Sequence, residues 1–224
     1  MLDAVAPRER SALLQAGVRR RFAPGEVVCH EGDPGDAVHF VTHGVFVARG
    51  SSTRGEVIAV NLFGPGDVFG ELALLTASDR RSATVVSLER GATLMVGRAA
   101  FDDLRARDPS IDRVLVTILA ERNRALTAQL IELQFTPVDQ RIYRRLAAYY
   151  DLVSAVGEAG GWVRINQAEL ATLAGTTRST ANRVLRRAEE GGVLTLARGR
   201  VRILDVGELR RRAGGSRRRG TAGD

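Results

Sequence analysis

Near residue 109 the periodicity of this 224-residue sequence changes, and that change limits what the chain can fold into. From residue 18 to 98, short β-branched runs alternate with Gly- and Pro-rich punctuation such as Pro24-Gly25 and Gly64-Pro65-Gly66. The runs are Val27–Cys29, Val38–Thr42, Val45–Ala48, Val57–Leu62, Thr84–Leu88 and Ala92–Val96. Strands at this spacing predict a sandwich or barrel. From Pro109 the repeat becomes seven residues long. Val116, Asn123 and Leu130 share one position, and Leu119, Leu126 and Leu133 follow three residues later. These are the a and d positions of a coiled-coil seam, and Asn at an a position favours a parallel pair in one register. Val114, Leu115 and Ile118 give the same helix a second apolar face. It is therefore expected to pack on its own domain and to pair with a twin. Periodicity alone also allows packing on its own domain only.

Thr136-Pro137 ends that helix and is expected to act as a hinge. Val138–Val156 reads as helix again, with Ile142, Leu146, Tyr149 and Tyr150 at core spacing, and Gly157–Gly161 as a loop. In the segment that follows, Asn166 and Glu169 form a capping-box-like pair. Leu170, Leu173 and Ala174 are expected to face inward. Gly175 supplies a sharp turn where positive φ is cheap, and Thr177 can cap a second helix. Thr180, Ala181, Val184 and Leu185 form the inward stripe of that helix. Arg178, Ser179, Asn182, Arg183 and Arg186 are left on its outer face. This is a helix-turn-helix over about residues 167–187. Arg can bind guanine and Asn adenine bidentately from such a face. Leu194–Ala197 and Val201–Leu204 read as a hairpin around Arg198, Gly199 and Arg200, a wing able to reach phosphate.

Charge points the same way. Residues 136–224 hold 17 Arg against 9 acids, and residues 1–135 hold 16 Arg against 17 acids, so the whole net charge of +7 comes from the C-terminal part. Such asymmetry suits a polyanion. There is no Lys, and guanidinium binds phosphate in a fork. No stretch approaches the roughly 18 apolar residues of a membrane span, and the N-terminus has no basic-then-apolar leader, so the expected compartment is the cytoplasm. The single cysteine, Cys29, excludes an internal disulfide and a four-cysteine metal or iron–sulfur site. Cys29 reads as a small core residue. His30, His39 and His43 lack ligand spacing, and no metal is expected. No nucleophile, paired-carboxylate or metal constellation stands at workable spacing, so an enzyme is not expected.

A second informative stretch is FGPGDVFGELALLTASDRRSATV, residues 63–85. Glycines, a short helix from Glu71 to Leu75, and Arg81-Ser82 would form an anion pocket. Arg81 can grip a phosphate bidentately, Ser82 can add a hydrogen bond, and Glu71 can accept from a sugar hydroxyl. Neither a P-loop nor a dinucleotide fingerprint is present.

With EGDPGD at 31–36, FGEL at 69–72, RSATV at 81–85 and the helix-turn-helix in that order, the chain resembles the cyclic-AMP receptor and fumarate–nitrate regulator (Crp-Fnr) superfamily of bacterial transcription factors over about residues 18–210. The resemblance implies an α+β fold: an N-terminal β-roll of the cyclic-nucleotide-binding jelly-roll kind, a long dimerisation helix and a C-terminal winged helix-turn-helix. The implied domains are 1–108 for effector binding, 109–135 for dimerisation and 136–210 for DNA binding, with 211–224 as a disordered basic tail. It also implies ligand contacts at Gly70, Glu71, Leu72, Arg81, Ser82, Arg122 and Thr127. Leu126 stands where cyclic-AMP receptors carry a polar base-contacting residue, which leaves the base open. Thr177, Arg178, Ser179, Asn182, Arg183, Arg186, Arg198 and Arg200 would meet DNA. Ser179 stands where many relatives have Glu, so the half-site is expected to differ. The expected function is a homodimeric regulator of double-stranded DNA at a palindromic operator, gated by cAMP or another cyclic nucleotide, with RNA polymerase as a further partner. Two alternatives remain at this point: a member of the same family that ignores cyclic nucleotides, and a cyclic-nucleotide-binding regulatory subunit that contacts protein.

Overall fold

A computed structural model describes residues 15–53, 55–76, 78–155 and 161–214. The chain forms two compact units, divided between Ile131 and Glu132.

Among the described residues the first unit is built on eight short strands, β1 (Val18–Phe22), β2 (Val27–Cys29), β3 (Ala37–His43), β4 (Phe46–Ser51), β5 (Val57–Phe63), β6 (Val68–Phe69), β7 (Thr84–Ser87) and β8 (Gly91–Gly97). They pair antiparallel in two four-stranded sheets, ordered β1-β8-β3-β6 and β2-β7-β4-β5. Phe22, Val41 and Phe69 of one sheet meet Phe46, Ala48, Phe63 and Val85 of the other in a shared core. On the outer face of the first sheet, Val38, Phe40, Val68, Leu94 and Val96 are covered by helices. These are α1 (Leu72–Leu75), α2 (Arg98–Arg107) and the start of α3 (Ser110–Phe135). Strand β3 is thus buried on both faces, which is why Ala37–Val41 are buried without alternation, His39 included. Each fully buried Val, Leu or Phe here contributes about 1.5–3 kcal/mol through burial.

The six expected runs are all strands, with bounds shifted by a few residues. Strands β1 and β6 and helix α2 were not expected. Helix α2 buries Phe101 and Leu104, three residues apart on one face. In α3, Leu115 and Ile118 pack on the domain as expected, together with the unforeseen Ile111.

The second unit holds the last turn of α3, then α4 (Val138–Ala155), β9 (Trp162–Val163), α5 (Gln167–Ala174), α6 (Arg178–Glu190), β10 (Leu194–Ala197), β11 (Arg200–Ile203) and α7 (Val206–Arg212). Its core gathers Ile142, Leu146 and Tyr149 of α4, Leu170 of α5, Val184 and Leu185 of α6, and Leu209 of α7. Tyr150 is only half-buried, and Tyr143 is buried in its place among the α4 aromatics. The expected two-stranded wing is a three-stranded sheet, β10-β11-β9. Arg211 and Arg212 were assigned to a tail. They lie instead in α7, held by Glu208, because a buried Leu209 anchors that helix. The rest of the expected tail, residues 215–224, lies outside the described residues, as do residues 156–160 of the loop.

The helix break at Thr136-Pro137 does not separate the two units. Arg141 donates to the carbonyls of Leu133 and Thr136 at the end of α3 and to those of Ala174 and Gly175 at the end of α5. Arg145 pairs with the buried Glu132 and also donates to the Leu173 carbonyl. These bonds fasten the last turn of α3 to the helix-turn-helix, so the unit boundary lies inside α3 and not at the proline.

Candidate functional site

In the first unit, strands and helix enclose a cavity of about 420 Å³. Its wall includes Gly70, Glu71, Leu72, Arg81, Ser82 and Arg122, six of the seven residues expected to meet a ligand. Glu71 is 1% exposed and ends β6's return into α1. Its Oε1 accepts from Arg122, whose guanidinium also donates to the Val68 carbonyl and lies over the Phe63 ring, 5.2 Å from its centroid. Its Oε2 is buried with no hydrogen-bond partner.

Arg81 is buried too. Its Nη1 donates to the carbonyls of Ala37 at 2.8 Å and Gly70 at 3.2 Å. The nearest carboxylate, exposed Asp36, stands 3.6 Å from Nη2, and Nε has no partner. A buried guanidinium so weakly compensated favours an anion at its free edge. Gly70 makes this arrangement possible. It has φ +86°, and a Cβ there would sit 2.2 Å from Arg81 Nη1. Helix α1 starts at Leu72 rather than Glu71 and is only one turn long.

The rest of the wall is mainly apolar: Val60, Phe63, Phe69 and Val85, closed from the helix side by Leu119, Asn123, Ala125 and Leu126. Thr127, the seventh expected ligand residue, is not brought to the cavity. It is exposed, and its Oγ1 donates to the Asn123 carbonyl one turn back. The cavity-facing stripe of α3 is 119-122-123-126, and heptad arithmetic alone did not identify it. Among the expected seam residues, Val116, Leu126, Leu130 and Leu133 are exposed, Leu119 is half-buried, and Leu119, Asn123 and Leu126 also line the cavity.

Cys29 is half-buried against the core and also lines the cavity; burial raises its thiol pKa, which keeps it protonated at neutral pH. His39 stacks on Phe69 at 4.9 Å, with Nδ1 3.0 Å from Thr93 Oγ1. Burial, then the positive Arg81 and Arg20, lowers its pKa to about 4, so the ring is neutral at pH 7. Among the described residues no cluster of His, Cys, Asp and Glu could hold a metal ion. No helix among them is long and apolar enough to cross a membrane.

In the second unit, Asn166 Oδ1 accepts from Glu169 N, Gly175 takes a left-handed conformation at φ 58°, and Thr177 Oγ1 accepts from Thr180 N. Ala181, Val184, Leu185 and Ala188 face inward, and Thr180 is half-buried. This leaves Arg178, Ser179, Asn182, Arg183 and Arg186 exposed on one helix. Arg186 is paired with Glu189 at 2.9 Å, which leaves Arg178 and Arg183 as the uncompensated guanidiniums of that face among the described residues. Arg198 and Arg200 are exposed at the tip of the wing.

Both halves of the chain match known families. Residues 19–108 match the cyclic nucleotide-binding domain, and residues 140–212 the Crp-like helix-turn-helix domain. The chain is 32% identical over 209 residues to the cyclic AMP receptor protein of Thermus thermophilus, covering 93% of this chain and 94% of the relative. It is 30% identical over 218 residues to the CRP-like cAMP-activated global transcriptional regulator of Mycobacterium tuberculosis, covering 95% and 96%. The fold is shared with the c-di-GMP responsive global regulator CLP of Xanthomonas campestris, with a TM-score of 0.74 at 24% identity over 88% of this chain and 99% of that one. The chain therefore belongs to the Crp-Fnr family of DNA-binding transcription regulators and carries that family's cyclic-nucleotide-binding domain.

Proposed function

We propose that this chain is a cytoplasmic, homodimeric regulator whose reading of a palindromic operator is gated by one cyclic nucleotide, cAMP, held in the first unit. The observation that carries the ligand reading is the pair of unsatisfied buried atoms, Glu71 Oε2 and Arg81 Nε, on side chains lining one cavity. An orphaned buried acceptor and donor each cost about 1–3 kcal/mol. A ribose hydroxyl donating to Glu71 and a cyclic phosphate accepting from Arg81 and Ser82 would satisfy them. The base then lies against the apolar wall and α3, with Leu119, Asn123 and Leu126 as its neighbours. Ligand and helix are thus in direct contact, which lets unequal affinity for two helix arrangements drive the switch.

The DNA reading assigns base contacts to Arg178, Ser179, Asn182 and Arg183 near the start of α6. It assigns phosphate contacts to Thr177, Arg186, Arg198 and Arg200. Two copies would read half-sites about one helical turn, roughly 34 Å, apart. Contact with RNA polymerase and the absence of any catalytic activity belong to the same proposal. Calorimetry with cAMP and cGMP tests the ligand: saturable heat from cAMP at one site per chain is expected, and no heat from either compound sinks the gating claim.

Pairing has its own test. Leu130 is 68% exposed on the seam. Leu130→Arg would bring a charge to an apolar helix pair, and sedimentation equilibrium is expected to show the variant as monomer at concentrations where the parent is dimeric. A dimeric variant would remove Leu130 from the interface.

A further inference from the structure

The single tryptophan of the chain lies on the third strand of the wing, which the sequence did not announce. Trp162 is half-buried on β9 and pairs in register with Arg202 of β11. The Arg200 guanidinium carbon lies 4.4 Å from the indole centroid and that of Arg202 5.9 Å. Residues 200 and 202 alternate onto one face of β11, so one indole lies beneath both side chains. Both arginines are exposed, and neither is paired with a carboxylate among the described residues. On α7, by contrast, Arg210 is paired with Asp151, and Arg211 and Arg212 with Glu208.

We infer that Trp162 is a positioning residue for DNA, holding Arg200 and Arg202 as a preset clamp on one backbone phosphate beside the wing. This rests on the reading of the wing as a phosphate contact, and it adds Arg202 and Trp162 to that contact. A guanidinium stacked on an aromatic face keeps its in-plane N–H donors free. The stack fixes the rotamer of a long side chain before DNA arrives, so less freedom is lost on binding. An aliphatic residue of similar bulk would fill the space without attracting the cation. The clamp carries no base preference, because it meets only the backbone.

The test uses the full-length protein with two fluorescently labelled duplexes, a selected operator and an unrelated sequence, titrated over a range of salt. Trp162→Leu is expected to weaken both duplexes alike, by about three- to tenfold, and to reduce the slope of log K against log salt by about 1–2. Trp162→Phe keeps an aromatic face and is expected to stay within about twofold of the parent. In an Arg200→Gln, Arg202→Gln background, Trp162→Leu is expected to change nothing further. The tryptophan emission of the parent, excited selectively and so from Trp162 alone, is expected to shift on adding either duplex. Parent-like binding and salt slope in Trp162→Leu would overturn the inference while leaving the DNA reading intact. An equal loss in Trp162→Phe, or a further loss in the double-Gln background, would also overturn it by showing a packing role only. A parent that binds neither duplex would overturn the DNA reading itself.

Discussion

Arg81→Leu is expected to lower affinity for cAMP by about 100-fold or more, because charge-assisted hydrogen bonds contribute about 1.5–3 kcal/mol each and a phosphate would lose at least one with its counter-charge. The same change is expected to cost stability. Arg81 Nη1 is a donor to the carbonyls of Ala37 and Gly70, and leucine leaves both without it. Each carbonyl left unsatisfied costs about 1–3 kcal/mol, offset in part because no buried charge remains. The geometry thus gives Arg81 a second role as a brace between the start of β3 and the turn before α1. Calorimetry well below the unfolding midpoint separates the two effects. Undiminished heat of binding in a folded Arg81→Leu protein would remove Arg81 from the ligand site.

Leu170→Ala is expected to destabilise the second unit by about 2–5 kcal/mol, the usual cost of emptying a fully buried leucine site. Leu170 is completely buried on the first helix of the helix-turn-helix. It meets the core that positions α6, so operator binding should fall with the folded population of that unit. Ligand binding should survive, because every residue lining the cavity belongs to the first unit. Differential scanning calorimetry is expected to show one transition moved down by many degrees and the other in place. A variant in which both transitions and the nucleotide heat move together would mean that the two units unfold as one.

The parts legible in the sequence are those whose signals are local. Asn166, Gly175 and Thr177 are read correctly because a cap and a left-handed turn depend on a few adjacent residues. The glycine-punctuated strands follow for the same reason. What escaped had no local period. Strand β1 has three exposed arginines before one buried Phe22, so it shows no alternation. Strands β6 and β9 are two residues long and exist only through their partners. At the site, Glu71 and Arg81 were legible from chemistry and spacing, but the unmade bonds on their far atoms were not. The facing stripe of α3 was the hardest part. A heptad names two faces of a helix without saying which meets the cavity, and the resemblance that points to Arg122 and Thr127 does not point to Asn123, which lines the wall beside Leu126. The unit boundary inside α3 was not legible because the links from Arg141 and Arg145 to α5 are long-range.

One wall of the cavity is also part of the proposed seam, since Leu119, Asn123 and Leu126 line the cavity and stand at heptad positions. In a paired molecule this makes effector affinity and partner affinity two sides of one equilibrium. If filling the cavity tightens pairing by some factor, pairing must tighten the effector by the same factor. Half-saturation by the effector would then move with protein concentration across the range where pairs form and separate. The cell's stock of this regulator would thereby become a second input, setting how much effector counts as a signal.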